Sequence, residues 1–523
     1  MVEKLLTYRL ELLQSMVLLL TLTTIFTLNW GGDFWEHATV VQSFSQDLWT
    51  TQNPVINSPT AHTFQTPYHW FLGLITYVSG IDSLLILRLM GVVNVAFLLA
   101  TFSLFIKALF PLDAPKTMTF YALVFVLFST GIAWCWSGFL DIYTLLLTAC
   151  YPSVCANALT FLTAYFWLKY QDKSSAKGLL ITAFFLASTL LIHPLTALSA
   201  YIFLISTSII NVFSNRKKTP LFALKTLSFL IVLSVLIASI YPYFSIVQLM
   251  SNKDLTLHNL SINIYKLAPK TMPPILFLMA IIYFYKGHKN ENKNNHKNED
   301  IIEHESSNKS LNSTTFQILY LNIFCLFILF IYGFVSHKYS YGRGIAQACI
   351  FVQILTGFIA AKLEDKIRTP QYKVLLMSFL GVFILTNSHL LKETIEILKP
   401  KNTLSFDYNQ LQFLRKFVTK NDVILSDNET NFMLPAFAGK VVYSDFLIVS
   451  LNKQLDFKKR EKDVNLFFNQ PISDSIRTTI IDKNAVNFIL LKKENLKTEI
   501  ALYCQQNTSL IHENNAWILF KNK

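Results

Sequence analysis

Charged residues are scarce in this sequence of 523 residues, where Asp, Glu, Lys and Arg together make up only 15%. Apolar residues account for 52% of the chain, and Phe alone occurs 44 times. This composition excludes an ordinary soluble protein and predicts a polytopic membrane protein. The net charge of +13 comes from short basic clusters between apolar runs, which is the pattern of membrane topology. We therefore expect no nucleic-acid partner.

The sequence also lacks a cysteine framework and a recognisable cleavage site. Its 6 Cys residues show no metal-ligand spacing, and most lie in apolar runs where Cys behaves as a small hydrophobe. No small-residue cleavage site follows the first apolar run, so we expect a retained span and not a removed signal peptide. The C-terminal part has neither a phosphate-binding glycine loop nor a nucleophile elbow, and no chemistry is assigned to it.

Apolar windows recur before residue 389. Because a helix needs about 20 apolar residues to cross the hydrocarbon core, the sequence predicts about eleven transmembrane helices. They lie near 12–29, 84–107, 117–135, 151–169, 177–192, 195–213, 221–247, 272–286, 314–334, 344–362 and 371–389. Lys and Arg concentrate in alternate loops, which places the N-terminus in the cytoplasm and the C-terminal tail outside. The Asn-, Lys- and Glu-rich segment 287–313 is predicted to be a disordered inner loop.

The character of the sequence changes near residue 390. Residues 1–389 are predicted to form a transmembrane module with its first outer loop at 30–83, and residues 390–523 a small outer α/β domain. We expect helices at 407–418 and 453–468, and strands at 423–426, 441–443, 486–491 and 517–520. High Asn, Lys and Ile usage favours a low-GC genome, and we expect a bacterial inner membrane with this domain in the periplasm.

Two carboxylates follow the first span in a loop that has no Lys or Arg between residues 30 and 82. If a helix begins there, Asp33 shares a face with Glu36 and His37, three and four residues later. This spacing suits a general base beside a second acid, or a divalent-metal site that uses all three side chains. Asp33 can instead simply cap the helix, and this alternative stays open.

Imidazole and aromatic side chains recur in the same loop. The residues predicted to line the acceptor side of a site are Trp35, His37, His62, Tyr68 and His69. Aromatic residues also gather at membrane interfaces, so no single one of them identifies a site. Asp141 is a smaller candidate, which either lines the same outer cavity or caps an interfacial helix.

The segments around the second span resemble a known family. They comprise a Pro-aromatic helix at 66–73, a glycine turn at 79–82 and an Arg-Leu pair within 85–91, where the second span opens. Together with the acidic motif they resemble the polyprenyl-phosphate-dependent GT-C glycosyltransferases, particularly the protein O-mannosyltransferase and lipid A aminoarabinose transferase branch. The resemblance implies a GT-C-like fold in which Asp33 matches the catalytic acid. The family's second acid is often adjacent to the first, whereas two aromatic residues separate Asp33 from Glu36.

Arg343 lies where an outer loop re-enters the membrane. A charged side chain there is costly unless it is paired or bound to a ligand, and a planar guanidinium suits phosphate. We predict that Arg343 and Tyr341 bind the donor phosphate, with snorkelling to the interface as the alternative. The turn at His193 resembles a membrane turn of the family, which usually has Lys-Gly-Pro there. This implies phosphate binding by His193, and a plain turn between two helices is the alternative.

The resemblance implies an integral-membrane glycosyltransferase with an inverting mechanism. Its donor is a sugar on polyprenyl phosphate, its acceptor is a glycan, lipid or protein at the outer face, and Asp33 is the general base. The family includes members with and without a metal requirement, so a divalent cation stays open. A transporter or lipid flippase is a rival, although the acids cluster in one outer loop and no half-repeat is visible. A non-catalytic membrane scaffold is a third class.

Overall fold

The computed structural model describes residues 2–28, 30–58, 62–111, 115–130, 138–173, 175–214, 220–243, 265, 303–337, 339–367, 369–386, 388–399, 408–444 and 457–523. The chain divides into two compact units. The first, here called the helical unit, comprises Met1–Leu28, Met90–Ile240 and Lys253–Lys399. The second, here called the sheet unit, comprises Asn29–Leu89, Tyr241–Asn252 and Pro400–Lys523.

Helices make up most of the chain before residue 400. In chain order they are α1 (Val2–Thr27), α2 (Phe34–Gln46), α3 (Pro67–Ser79), α4 (Ser83–Leu109), α5 (Pro115–Phe128), α6 (Ile142–Thr148), α7 (Pro152–Lys173), α8 (Ala176–Ile192), α9 (Pro194–Ser214), α10 (Pro220–Ser239), α11 (Glu303–Val335), α12 (Tyr339–Gly342), α13 (Gly344–Lys366), α14 (Pro370–Thr386) and α15 (Ser388–Leu398). Helices α2 and α3 belong to the sheet unit, and the boundary between the units falls within α4.

The membrane character of the chain is confirmed, but the count of about eleven spans is not. Among the described residues, 6 helices are long and apolar enough to cross a membrane. The count becomes 7 if α6 and α7, which meet at a bend of 116°, form one broken span. The predicted span at 272–286 lies outside the described residues, and every other predicted span corresponds to a helix. Helices α5 and α8 are apolar but shorter than a full crossing.

Helix α13 forms the centre of the helical unit, because 94% of its most apolar stretch is buried. Gly357 allows α13 to approach α5, because a Cβ at this position would meet the backbone of Ala122. Small residues commonly permit such close contacts between membrane helices. Helix α11 also departs from expectation, since it begins at Glu303, inside the segment predicted to be disordered.

The sheet unit contains a five-stranded sheet in the order β2-β1-β3-β5-β4. Its strands are β1 (Val423–Leu425), β2 (Lys440–Val441), β3 (Phe488–Lys492), β4 (Thr508–Glu513) and β5 (Trp517–Asn522). Strand β1 pairs in parallel with β2 and β3, whereas β5 pairs antiparallel with β3 and β4. Helices α16 (Leu414–Phe417), α17 (Asn428–Asn431), α18 (Phe457–Asn469), α19 (Asp474–Lys483) and α20 (Thr498–Asn507) complete the described part.

Most of the predicted C-terminal elements correspond to observed ones. Strands β1, β2, β3 and β5 and helix α18 lie close to their expected positions, whereas the sequence did not predict β4, α19 or α20. The helix expected at 407–418 is replaced by a 3-10 turn, Tyr408–Leu411, and the short α16. One face of the sheet is buried by apolar side chains that include Phe467, Ile489 and Phe520.

The first loop of the chain packs against this sheet. Ile56 forms a parallel bridge with Val441, and the backbone N–H of Val441 donates to the carbonyl of Val55 over 2.8 Å. The loop therefore extends the sheet beyond its edge strand β2. Arg415 also forms an ion pair with Asp82 at the far end of the loop. The first loop and residues 400–523 thus belong to the same compact unit. The domain boundary at 389–390 stays a prediction.

Candidate functional site

Asp33 occupies the position immediately before helix α2. Gly32 supports the preceding turn with a φ of +58°, a conformation that costs glycine little. The carbonyl of Asp33 accepts the backbone N–H of His37 over 3.0 Å, which begins the helix. The Asp33 side chain is exposed and makes no capping hydrogen bond, so the capping alternative is not supported. Its carboxylate is accessible from solvent.

Glu36 lies in a very different environment, although it is only three residues away. Its side chain is buried, with 2% of the residue exposed. Burial, followed by the negative charge of Asp33, raises the pKa of Glu36 well above its ordinary value. Burial therefore favours the neutral form of Glu36, while Asp33 lies at the surface. Two carboxyl groups with such different environments can take different chemical roles.

A buried histidine faces Glu36. Oε1 of Glu36 lies 3.8 Å from Nε2 of His62, a separation too long for a direct hydrogen bond. The backbone N–H of Phe64 donates to Nδ1 of His62 over 3.1 Å, so the proton of the neutral ring belongs on Nε2. Burial lowers the pKa of His62 to about 4, and the imidazole is neutral at pH 7.

A chain of hydrogen bonds connects α2 with α3 beside this pair. Nδ1 of His37 and Nε2 of His69 lie 2.9 Å apart, and Nδ1 of His69 lies 2.8 Å from the hydroxyl of Thr66. Burial, followed by the charge that His62 would carry, lowers the pKa of His69 to about 3. The arrangement locks the orientation of both rings, because each shares a defined hydrogen bond.

The aromatic residues predicted as acceptor contacts form the interior of the loop. Trp35 is 2% exposed, and its Nε1 donates to the carbonyl of Trp30 over 3.1 Å. Its ring also packs against Phe437, with 6.0 Å between ring centroids. Tyr68 is 4% exposed and meets His69 edge to face. These side chains support the loop that presents Asp33, and their role as acceptor contacts stays a prediction.

The three side chains proposed for a metal site do not form a ligand cluster. Among the described residues, no group of three or more His, Cys, Asp or Glu side chains is arranged to hold a metal ion. The ring of His37 is directed to His69, while Asp33 is exposed and Glu36 is buried. The set Asp33, Glu36 and His37 therefore does not fit a metal centre, because its members address different surroundings.

The residues predicted to bind phosphate belong to the helical unit. Arg343 immediately precedes α13, and Tyr341 packs edge to face on Tyr332 of α11, with ring centroids 5.3 Å apart. Gly333 allows α12, the single helical turn that contains Tyr341, to approach α11. A Cβ at position 333 would lie 2.8 Å from the amide nitrogen of Gly342. Helix α12 is therefore held by close packing against α11.

His193 lies at the turn between α8 and α9, outside both helices. Its carbonyl accepts the backbone N–H of Thr196 and of Ala197 at 3.0 and 3.1 Å, so it caps the start of α9. Burial, followed by the charge of Arg343, lowers the pKa of His193 to about 3. The positive charge of Arg343 therefore acts on the His193 ring, and phosphate binding by the two residues stays a prediction. His193 also makes the helix turn that was the alternative.

Asp141 has a structural role at the start of α6. Asp141 caps α6 by accepting the backbone N–H and the hydroxyl of Thr144 at 3.0 and 2.8 Å, so the capping alternative is correct.

Sequence reasoning missed Gln65, whose Oε1 accepts the backbone N–H of His62 over 2.7 Å and whose Nε2 donates to the carbonyls of Thr50 and Gln52. An amide in a polar loop carries no pattern that predicts these contacts.

Comparison with known proteins identifies the fold. No family model matches the chain, and no curated protein sequence matches it. Two similar solved structures are of the oligosaccharyltransferase of Archaeoglobus fulgidus. One is tethered through a disulfide bond with an acceptor peptide containing the NVT sequon, with a TM-score of 0.54 and 11% identity over 99% of this chain and 74% of that one. The other is a complex with Zn and sulfate, with a TM-score of 0.54 and 10% identity over 97% and 73%. The chain therefore shares a GT-C-like fold with this oligosaccharyltransferase.

Proposed function

We propose that the chain is an integral-membrane glycosyltransferase that uses a polyprenyl-phosphate-linked sugar and inverts the sugar carbon. The observation that carries this proposal is the exposed carboxylate of Asp33 beside the buried acid Glu36, in a chain with a GT-C fold. The acceptor is a glycan, lipid or protein at the outer face of a bacterial inner membrane.

Asp33 is the general base in this proposal. An accessible carboxylate can take the proton of an acceptor hydroxyl as the bond between the sugar carbon and the donor phosphate breaks. Attack from the side opposite the leaving phosphate inverts the configuration. Glu36, whose pKa is raised by burial, orients the acceptor beside Asp33. No step of the proposal is routed through a metal ion.

Arg343 binds the donor phosphate, assisted by His193 and Tyr341. A guanidinium offers paired donors that match phosphate oxygens, and it keeps its charge at any working pH. The neutral His193 ring can donate from Nε2, because the backbone N–H of Thr196 points to Nδ1 at 3.3 Å. The apolar polyprenyl tail suits the lipid environment of the helical unit. The charge of Arg343 would stabilise the phosphate that leaves.

The structural relatives support the proposal at the level of chemistry. The Archaeoglobus fulgidus oligosaccharyltransferase has been solved with an acceptor peptide, and separately with Zn and sulfate. Sulfate is a tetrahedral oxyanion like the phosphate of a lipid donor. For the present chain these observations support a carbohydrate-transfer reaction, and they leave the sugar and the acceptor open.

Substitution of Asp33 tests the base. Asp33→Asn should leave expression and folding intact and reduce transfer from lipid-linked sugar by a factor of about 100 or more. The assay follows radiolabelled sugar from a panel of polyprenyl-phosphate donors to outer-face acceptors in isolated membranes. Asp482→Asn, an exposed acid on α19, is the matched control and should transfer at the wild-type rate. Unchanged transfer by folded Asp33→Asn would show that Asp33 is not the base.

Substitution of Arg343 tests the phosphate contact separately. Arg343→Ala should raise the KM for the lipid donor about tenfold or more, since a charged hydrogen bond contributes about 1.5–3 kcal/mol. Arg343→Lys should fall between this variant and the wild type, because Lys keeps the charge but loses the planar fork. An effect confined to the KM for the acceptor would contradict the assignment.

A further inference from the structure

A polar cavity of about 130 Å³ lies in the sheet unit, lined by residues to which the proposed transfer reaction gives no role. It is enclosed by α2, the loop that follows α2 and the residues on either side of β2. Its polar lining includes Gln42, Asp47, Gln52, Asn53, Lys420 and Lys440. A cavity of this volume has room for several water molecules, or for one small polar group.

Lys440 places a buried positive charge at this cavity. The residue is only 6% exposed, and its Nζ donates to Oε1 of Gln52 over 2.9 Å. That bond uses one of the three ammonium protons. Within the described part of the chain, no carboxylate pairs with this ammonium group. A buried charge with only a neutral partner is costly, which favours an anion in the cavity.

Asn53 supplies a second donor of fixed orientation. Its Oδ1 accepts the backbone N–H of Val55 over 2.9 Å and that of Ile56 over 3.2 Å. These two bonds identify the oxygen end of the amide, so the other end must be the NH₂ group. Asn53 is fully buried, and its Nδ2 has no hydrogen-bond partner among the described residues. A buried donor without a protein acceptor needs one from water or from a ligand in the cavity.

The other lysine of the cavity is already neutralised. Nζ of Lys420 lies 3.1 Å from a carboxylate oxygen of Asp47, and both side chains are partly exposed. The lining therefore carries two lysines and one aspartate, which leaves one positive charge at Lys440. Burial, followed by the positive charge of Lys420, lowers the pKa of Lys440. Both effects disfavour the ammonium form, which an anion in the cavity would stabilise.

We propose that this cavity binds a small oxyanion, a phosphate or a carboxylate group, through the ammonium of Lys440 and the amide NH₂ of Asn53. Both anions offer the acceptors that these two donors lack, and both are small enough for the cavity. The site shares no residue with the donor-phosphate contact proposed for Arg343. Its existence does not depend on whether the chain transfers sugar.

The test uses binding and not activity. Purified full-length protein in detergent is titrated with inorganic phosphate or with sodium acetate at pH 7 and constant ionic strength, and the midpoint of thermal unfolding is followed by Trp fluorescence. One or both anions should raise the midpoint of the wild type. Lys440→Met should weaken that response at least tenfold. Lys521→Met, at an exposed position of β5, is the matched control and should respond like the wild type.

Two further variants distinguish anion binding in this cavity from anion binding elsewhere on the protein. Asn53→Asp keeps the oxygen that accepts the two backbone N–H groups but replaces the NH₂ donor with a carboxylate oxygen, so it should abolish the response while preserving the fold. The part of the response that depends on Lys440 and Asn53 should persist in Arg343→Ala, because Arg343 does not line the cavity. A response to phosphate alone assigns a phosphate group, and one to acetate alone a carboxylate. No response, or equal responses in the wild type, Lys440→Met and Asn53→Asp, would overturn the proposal.

Discussion

Oε1 of Glu36 and Nε2 of His62 face one another at 3.8 Å, and both groups are buried in the first loop. Neither atom has a hydrogen-bond partner among the described residues. Burial raises the pKa of Glu36 and lowers that of His62 to about 4, so it favours the neutral form of both side chains. The stability of the loop should therefore depend on pH in two opposite ways.

Glu36→Gln should remove the part of the pH dependence of stability that comes from the ionisation of Glu36. Because the folded-state pKa of Glu36 is raised, its contribution to stability is fully present below the unfolded value of 4.5 and is lost as pH rises toward the folded value. Each pKa unit corresponds to about 1.4 kcal/mol. The variant should therefore match the wild-type Tm near pH 4 and exceed it at pH 8. A variant that is less stable than the wild type at pH 8 would show that Glu36 is ionised in the fold.

The buried histidines should produce the opposite slope in acid. The folded pKa of His62 is about 4 and that of His69 about 3, against 6.5 when unfolded. Their contribution is present above pH 6.5 and is lost as pH falls toward the folded values. His62→Gln should flatten the decline in Tm between pH 6.5 and 4. Equal slopes in the wild type and His62→Gln would contradict the neutral buried imidazole.

Two tryptophans of the same loop should respond very differently to truncation. Trp35 is 2% exposed and packs against Phe437, whereas Trp49 is 74% exposed. Trp35→Ala should destabilise the sheet unit by about 3–5 kcal/mol, the usual cost of deleting a buried aromatic side chain. Trp49→Ala should change stability by less than about 0.5 kcal/mol. Chemical denaturation of the purified protein measures both, and similar losses would show that Trp35 does not support the loop.

Glycine permits the contact between α2 and α3. A Cβ at Gly73 would overlap Cβ of Phe44, whereas a Cβ at Gly31 would have no atom within 4 Å. Gly73→Ala should therefore separate the two helices and lower stability by about 1–3 kcal/mol, which is typical of overpacking. Gly31→Ala is the control and should be tolerated. Limited proteolysis of the loop, with Tm, provides the readout, and an equally stable Gly73→Ala would indicate that α3 can shift.

The same loop shows how far the sequence reaches. The acidic residues, the helix that starts at residue 34 and the approximate positions of most strands follow from local spacing and apolar periodicity. The opposite environments of Asp33 and Glu36 do not, because their burial depends on residues such as His62 that are distant in the chain. The docking of Val55 on Val441 cannot be read from local patterns either, since it joins segments that are far apart in the sequence.

The sequence by itself determined the membrane class, the position of most helices and the alternation of the C-terminal domain, because transfer to lipid and burial on one face act on each segment locally. It also pointed to the GT-C fold through short motifs. Only the tertiary structure decided which carboxyl group is exposed, which histidines are neutral and that Lys440 and Asn53 line one cavity. These properties arise from burial and from the distances between charges, and both exist only once remote segments have come together.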